Sequence, residues 1–337
     1  MYTPPFTISS RAIHLIADIS ALVERYAIRM EQEDALLLRK INRIKTIQGS
    51  LAIEGNTLSE SQITDILDGK HIVAPIREIQ EVRNAIKTYN SYHTFDPYSA
   101  DDLLTAHKVM MEALVDNAGH FRQGGVGVFA GTQLIHMAPP ADRVPYLIKD
   151  LFEWLRQSDD HLLIKSCVFH YEFEFIHPFS DGNGRIGRLW QSLILGKLHP
   201  VFEHLPVENM VFANQQAYYN AINRSTDAVN SGIFIDFMLQ EIYETLKKRQ
   251  GDPIVTMKTT KDVGINVGIN ELKVLELLRK NNQITAKEIA GLLGVSLRHS
   301  ERLITSLKQK GMIQRVGSNK NGYWEIIIKE DVSRLPF

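Results

Sequence analysis

The stretch HPFSDGNGRIGR, residues 177–188, constrains this chain most, because it places a proline and two glycines between two helical patterns. The apolar run over residues 162–176 predicts a buried helix. Pro178 predicts that this helix ends by His177, because the residue before a proline is pushed out of the helical region. Apolar residues at helical spacing resume after the glycines. The segment therefore predicts a helix, a tight loop and a second helix.

The residue types in this loop suit a bound polyphosphate. Unpaired N–H groups at a helix start, approached closely through glycines, can form an anion-binding nest. Arg185 and Arg188 share one face of the second helix, and guanidinium groups suit phosphate oxygens. Asp181 offers the hard oxygen ligand that Mg²⁺ prefers, and His177 can take a proton near neutral pH. Each feature alone is usually a turn, a cap or a solvated face; together they predict transfer of part of a nucleotide.

The order of these residues resembles the Fic family signature, His-Pro-Phe-x-Asp/Glu-Gly-Asn-Gly-Arg-x-x-Arg, at every position. The related Doc branch lacks the glycine- and arginine-containing ending. The resemblance implies transfer of AMP from ATP to a Ser, Thr or Tyr hydroxyl of a target protein, self-modification included, with Mg²⁺ as cofactor. It implies that His177 deprotonates the hydroxyl, Asp181 holds Mg²⁺ and Arg188 reaches the γ-phosphate. The residues that it places against the phosphates are Gly182, Asn183, Gly184, Arg185 and Arg188.

A second segment, SLAIEGN at residues 50–56, ends a long helical pattern. Gly55 by itself predicts only an ordinary helix end with an exposed Glu54. The segment resembles the Fic inhibitory motif, in the subclass that carries its inhibitory helix N-terminally in the same chain. The resemblance implies that Glu54 pairs with Arg188 and denies it to the γ-phosphate, while Ser50 fixes the helix or the carboxylate. In some relatives this glutamate also serves AMP removal, which makes a reverse reaction a further expectation.

Two short apolar runs around a glycine turn, residues 126–129 and 134–137, predict a β-hairpin. A plain surface hairpin is the ordinary interpretation. The resemblance implies a flap that aligns the target by β-augmentation. Its target-binding residues are then Leu134, Ile135, His136 and Met137. Tyr218 and Tyr219 resemble a pair that lines the adenine pocket in relatives, although tyrosines on a helix more often belong to the core.

His170, Glu174 and His177 share one face of the first motif helix. This spacing could hold a metal, but no third strong ligand follows and no His-Glu-x-x-His is present. We therefore predict that His170 is a buried structural histidine and that Glu174 supports the site.

Length and composition bound the class of protein. A chain of 337 residues predicts at least two domains, and 44% hydrophobic and 23% charged residues are typical of globular proteins. Cys167 is the single cysteine, which excludes an intrachain disulfide and fits a reducing compartment. Apolar runs of about eighteen residues and signal-peptide patterns are absent. We therefore expect a cytoplasmic protein with no membrane partner.

A charge imbalance separates the last seventy residues from the rest. The chain has 38 Lys and Arg residues and 39 Asp and Glu residues. Between Gly268 and Phe337 there are 12 basic and 7 acidic residues, so 26 basic and 32 acidic residues lie elsewhere. Three helical patterns and a hairpin there predict a winged helix-turn-helix. Arg298, His299 and Arg302 near the start of its third helix, with Lys320 in the wing, suit DNA. A protein-interaction or homodimer module fits the pattern equally well.

The predicted protein is mainly α: a helical Fic core with a β-hairpin flap, plus a C-terminal winged-helix domain. The expected function is an autoinhibited protein adenylyltransferase (AMPylator). The alternative is a nucleotide-sensing transcriptional regulator, against which His177 argues, because a sensor needs no base. The predicted divisions are an N-terminal helical region with the inhibitory helix (1–95), the Fic core (96–250), a linker (251–267) and the winged helix-turn-helix domain (268–337).

Overall fold

The computed structural model describes residues 2–32, 35–130, 133–205, 211–251, 269–317 and 322–327. It divides the chain into two compact units, Met1–Pro253 and Ile254–Phe337. The predicted linker beyond Gly251, and Lys320 of the wing, lie outside the described residues. Within the described residues, no helix is both long and apolar enough to cross a membrane.

The first unit is built mostly from helices, with one small sheet, which confirms the mainly α class. Short 3₁₀ turns occupy Tyr92–Thr94, Ala141–Arg143 and Pro200–His204. The helices are α1 Ser10–Gln32, α2 Ala35–Ile53, α3 Glu60–Leu67, α4 Ile76–Asn90, α5 Ala100–Met110, α6 Val144–Gln157, α7 Leu162–Ile176, α8 Asn183–Leu198, α9 Gln215–Asp227 and α10 Gly232–Gly251.

Helix α7 is the centre of this unit. Residues 163–174 are all buried, including the polar side chains of Lys165, His170 and Glu174. It packs against α6, α8 and α10. Phe169 and Phe173 of α7 and Trp190 of α8 are among the largest fully buried side chains. The loop between α7 and α8 therefore projects from the buried centre of this unit.

The predicted hairpin is present as strands β1 Gly127–Ala130 and β2 Gln133–Met137. The strands are antiparallel, Gly127 lies opposite Met137, and a bulge interrupts the register after Val128. Met137 is 65% exposed. The side chains of residues 128–136, which include Leu134, Ile135 and His136, lie outside the described part of the chain.

The second unit has the predicted three helices and hairpin. These are α11 Ile269–Lys280, α12 Ala286–Leu293, α13 Leu297–Gln309, β3 Ile313–Val316 and β4 Tyr323–Ile326. A capping box of Thr285 and Glu288 begins α12, and Gly294, at φ 64°, ends it in the left-handed region. The buried Ser300 of α13 donates to the carbonyl of Ala286 at 2.8 Å. This contact joins the two helices of the helix-turn-helix.

Candidate active site

His177 caps the C-terminus of α7 in the left-handed conformation, at φ 50° and ψ 61°. That region is uncommon for a residue other than glycine. Its N–H donates to the carbonyl of Phe173 at 2.9 Å, and its own carbonyl accepts from Nε of Arg122 at 2.8 Å. The ring Nδ1 lies 3.4 Å from the carbonyl of Glu174, and the side chain is 20% exposed. The backbone is fixed while the imidazole remains accessible.

Asn183 holds the loop closed. Its Oδ1 accepts from the N–H of Phe179 at 2.8 Å, and its Nδ2 donates to the carbonyl of Phe179 at 2.9 Å. The side chain is 2% exposed. The side-chain amide is thus engaged with the loop backbone, and the backbone N–H of Asn183 is the group suited to the phosphate role predicted for this residue.

A histidine that was not predicted supports the same loop. His107 of α5 stacks on Phe179 with ring centroids 3.6 Å apart. Its Nδ1 accepts from the N–H of Gly119 at 2.8 Å, so Nε2 carries the proton and donates to the carbonyl of Asp181 at 3.0 Å. Burial lowers the pKa of His107 to about 4. His107 is therefore neutral at physiological pH, and its contacts stabilise the loop.

The start of α8 leaves no room for side chains at two glycines. Gly182 adopts φ 86°, and a Cβ there would lie 2.6 Å from the sulfur of Met111. At Gly184 a Cβ would lie 2.6 Å from Oε1 of Glu54 and 2.7 Å from Nη1 of Arg188. Glycine at position 184 lets acidic oxygens approach the backbone closely.

Glu54 is ion-paired with Arg188, as expected from the resemblance. Nη2 of Arg188 donates to Oε1 of Glu54 at 2.7 Å. The same Nη2 donates to the carbonyl of Ser50 at 2.9 Å, and Nε donates to the hydroxyl of Ser50 at 3.3 Å. Ser50 thus contacts the arginine itself. The Glu54 carboxylate lies against Arg188 and Gly184, two of the residues predicted to receive phosphate.

The segment at the end of α2 is anchored to α4 and α9. Gly55 turns the chain at φ 90°, and the next residue, Asn56, donates to Oε2 of Glu81 at 2.9 Å. Nε2 of Gln215, on α9, donates to the carbonyl of Ile53 at 3.2 Å. The end of α2 is therefore held from two sides beside α8.

Arg185 carries buried donors that lack partners. Its Nη2 donates to Oδ1 of Asp181 at 3.0 Å, and Nη1 is 3.9 Å from Oε1 of Glu81. Nε and Nη1 make no hydrogen bond to the described residues, although Arg185 is only 2% exposed. Buried unpaired donors are rare and costly. They fit a site in which phosphate oxygens accept these bonds.

The surroundings of Asp181 bear on the predicted magnesium site. Its Oδ1 accepts from the N–H of Gly182 at 2.6 Å, and Oδ2 is 3.4 Å from Nη2 of Arg77. The side chain is 38% exposed. The described ranges contain no group of three or more acidic, His or Cys side chains that could hold a metal. The donor set fits Mg²⁺ bound by one carboxylate together with phosphates and water.

The buried residues behind the site form a polar cluster in the core. His170 is fully buried, and its ring nitrogens lie 2.7 Å from Oε1 of Gln191 and 2.9 Å from the hydroxyl of Tyr218. Burial lowers the pKa of His170 to about 4 and raises that of Glu174 to about 7. The prediction of a buried structural histidine is confirmed.

The two predicted adenine-pocket tyrosines differ in their surroundings. Tyr218 is 3% exposed and packs in an aromatic cluster that includes Phe234. Tyr219 is half-buried, and its hydroxyl accepts from Nε2 of Gln215 at 3.3 Å. Tyr218 is a core residue in this structure, whereas Tyr219 lies next to the residue that contacts the end of α2. An adenine contact for the pair stays a prediction.

Known proteins share this architecture. Residues 97–195 match the Fic/DOC family, and residues 269–314 match the winged helix-turn-helix DNA-binding family. The crystal structure of a Fic family protein from Desulfovibrio desulfuricans G20 is 37% identical with a TM-score of 0.72, covering 98% of this chain and 99% of that one.

Curated relatives match over a shorter span. Protein adenylyltransferase fic-1 of Caenorhabditis elegans is 30% identical over 239 residues, which is 66% of this chain and 43% of the relative. A probable protein adenylyltransferase of Aquifex aeolicus is 28% identical over 205 residues, 58% of each chain. The chain spans about half the length of these curated relatives.

Proposed function

The chain belongs to the Fic family, and from that premise we propose that it is a protein adenylyltransferase that transfers AMP from ATP to a hydroxyl side chain of a target protein. One observation carries the proposal. Two buried arginines lie at the start of α8, beside the loop that begins with His177. Two donors of Arg185 make no hydrogen bond to the described residues, and Arg188 is bound by the carboxylate of Glu54. This arrangement supports a site for anionic oxygens next to the imidazole of His177.

In the proposed reaction, the imidazole of His177 takes the proton of the target hydroxyl. The hydroxyl oxygen bonds to the α-phosphorus as the bond from that phosphorus to the bridging oxygen breaks, and pyrophosphate leaves. Nε and Nη1 of Arg185 donate to phosphate oxygens, and the N–H groups at the start of α8 face the phosphates of ATP. Asp181 would hold Mg²⁺, which would neutralise charge on the phosphates.

The target would approach along the hairpin. In the described residues, β1 and β2 form a sheet of two strands, so each strand leaves one edge without a strand partner. An extended segment of the target can pair with such an edge through main-chain hydrogen bonds. We propose this mode for Ser, Thr or Tyr acceptors, including those on a second copy of the chain.

A labelling experiment tests the proposal directly. The wild-type chain and a Glu54→Gly form are incubated with ATP labelled at the α-phosphorus in a cell lysate, beside a Glu54→Gly/His177→Ala control. We expect labelled protein bands that depend on His177 and are stronger with Glu54→Gly. ATP labelled only at the γ-phosphate should give no His177-dependent band. His177-dependent bands from the γ-label would indicate phosphorylation by this chain, and the absence of any His177-dependent band from the α-label would contradict the proposed function.

Asp181→Ala is expected to weaken ATP binding chiefly when Mg²⁺ is present, because Asp181 is the proposed ligand in the loop. Calorimetric ATP titrations with Mg²⁺ and with EDTA separate this effect from the lost contact to Arg185. Asp181→Asn serves as the matched control, because it keeps a hydrogen-bond acceptor but loses the charge. If the Mg²⁺ dependence of the Ala variant equals that of the wild type, the metal ligand lies elsewhere.

We propose that the same site also removes AMP. Water would attack the phosphorus of the AMP-modified protein, with Glu54 taking a proton from the water. The bond from phosphorus to the target oxygen would break as the imidazolium of His177 gives its proton to that oxygen, which yields AMP and the original hydroxyl. The expected result is AMP release from a labelled target by the wild type but not by Glu54→Gly. Equal release by both would exclude Glu54 from the hydrolysis.

For the second unit we propose DNA binding, supported by its winged helix-turn-helix match and by two exposed arginines on α13. Arg298→Ala with Arg302→Ala is expected to lower duplex affinity and to reduce the slope of affinity against salt by about 2, one for each lost phosphate contact. Arg279→Ala with Lys280→Ala, at the end of α11, is the charge-matched control. Salt-independent or undetectable binding of the wild type to duplexes would favour a protein-interaction module.

A further inference from the structure

Arg122 was not among the residues predicted to act, yet it holds the end of α7. Its side chain is 3% exposed. Nε donates to the carbonyl of His177 at 2.8 Å, and Nη2 donates to the carbonyl of Ile176 at 3.3 Å. The backbone N–H of Arg122 donates to the carbonyl of Pro178 at 2.9 Å. Three consecutive carbonyls around the proposed base are thus bound by one residue.

The same guanidinium also reaches both ends of the hairpin. Nη1 donates to the carbonyl of Gly124 at 2.8 Å, and Nη2 donates to the carbonyl of Pro139. Gly124 lies shortly before β1, and Pro139 lies shortly after β2. The base of the hairpin is closed by the N–H of Ala138, which donates to the carbonyl of Val126 at 3.1 Å. One planar group therefore joins the entry and exit of the hairpin to the end of α7.

An arginine side chain suits these contacts better than a lysine. Guanidinium presents five N–H donors in a fixed plane, whereas the lysine ammonium is a single point with three donors on a flexible stem. The partners are backbone carbonyls from three separate stretches of chain, so their relative positions are set by the geometry of the fork. His177 is also held in the left-handed region, and a bond to its carbonyl helps to fix that conformation.

We infer that Arg122 is a positioning residue that sets the hairpin relative to His177, and so aligns the target hydroxyl with the base. The inference rests on the proposed function, because alignment matters only if an acceptor lies along the hairpin. The inference predicts that a substitution of Arg122 affects the contacts to the acceptor but not the ATP contacts at α8.

The test uses Arg122→Lys in the Glu54→Gly chain, with purified acceptor, namely the lysate protein that Glu54→Gly labels most strongly. We expect kcat/KM for the acceptor to fall by about 10²-fold, the effect of misplacing reacting groups by about 1 Å. KM for ATP should stay unchanged. The matched control is Arg156→Lys, an exposed arginine whose Nη2 donates to the carbonyl of Tyr98 at 2.9 Å. It should leave both constants unchanged.

Hydrogen–deuterium exchange gives a readout that needs no catalysis. Amides of β1 and β2 should exchange faster in Arg122→Lys, while those of α7 and α8 keep their protection. Unchanged hairpin exchange with unchanged acceptor kinetics would overturn the inference. So would an equal loss of ATP binding, because Arg122 would then support the nucleotide site or the fold. If the Glu54→Gly parent shows no His177-dependent transfer, the proposed function fails, and exchange alone decides whether Arg122 places the hairpin.

Discussion

Replacing His177 with alanine is expected to lower the rate of AMP transfer by about 10²-fold or more, the usual effect of removing a positioned base. ATP affinity should persist, because the proposed phosphate contacts belong to α8 and its arginines. The backbone contacts of residue 177, an N–H to Phe173 and a carbonyl to Arg122, do not involve the imidazole. Initial rates with labelled ATP and calorimetric ATP titrations, both in the Glu54→Gly chain, measure the two quantities separately.

A histidine at the opposite end of the same helix provides the control. His161 caps the start of α7, where its Nδ1 accepts from the N–H of Leu163 at 3.2 Å. His161→Ala therefore removes a helix cap, which costs about 1 kcal/mol of stability, without touching the site. It should leave the rate near that of the parent. Near-normal transfer by His177→Ala would exclude His177 as the base, and joint loss of transfer and ATP binding would point to a structural role.

The local features of this site followed from the sequence because their causes are local. Pro178 ends α7 at Ile176, and the glycines after it allow the left-handed turn that begins α8. The capping boxes at Ser59 and Thr285 were likewise predictable, since each joins residues three positions apart. Short-range steric and hydrogen-bond rules act within a few residues, so a single sequence displays them.

Contacts between distant parts of the chain did not follow from residue patterns. Glu54 and Arg188 are 134 positions apart, and by pattern alone Glu54 is an ordinary helix-end residue. Only the resemblance suggested their pairing. His107 gave no signal, because its partners are backbone groups at Gly119 and Asp181. Backbone groups are present at every residue, so the sequence does not indicate which of them a side chain contacts.

The sequence motif did not predict which group the side chain of Asn183 contacts. The motif suggested a phosphate contact, whereas its amide is bound on both sides to the backbone of Phe179. Arg122 was missed for a related reason. Its guanidinium donates to four backbone carbonyls, which require no acidic residue elsewhere in the sequence, so only the folded chain reveals why an arginine is buried there.

Replacing Glu54 with glycine is expected to raise AMP transfer strongly. The carboxylate lies 2.7 Å from Nη2 of Arg188, and it also lies at the start of α8 beside Gly184. It therefore places negative charge at the proposed position of the γ-phosphate and occupies the guanidinium proposed to bind it. Releasing one charge-assisted hydrogen bond of about 1.5 to 3 kcal/mol corresponds to a rise of about tenfold to a hundredfold. Self-labelling and labelling of lysate proteins measure this increase.

A glutamine variant separates charge from bulk. Glu54→Gln keeps the shape of the side chain and removes its charge, so it should activate less than Glu54→Gly if volume beside Gly184 contributes to the inhibition. Equal activation by both variants would assign the inhibition to the charge alone. Position 54 follows the last residue of α2, so glycine there does not interrupt the helix.

Variants of Arg188 test the proposed inhibitory mechanism without knowledge of the target. Arg188→Ala alone should not activate, because the variant loses the proposed anchor of the γ-phosphate together with the partner of Glu54. The double variant Glu54→Gly/Arg188→Ala should behave like Arg188→Ala, which is the non-additivity expected of two groups that share one site. Additive effects would show that Glu54 acts elsewhere. If Glu54→Gly transfers no faster than the wild type while His177-dependent transfer is measurable, then the ion pair fastens α2 to α8 and does not restrain catalysis.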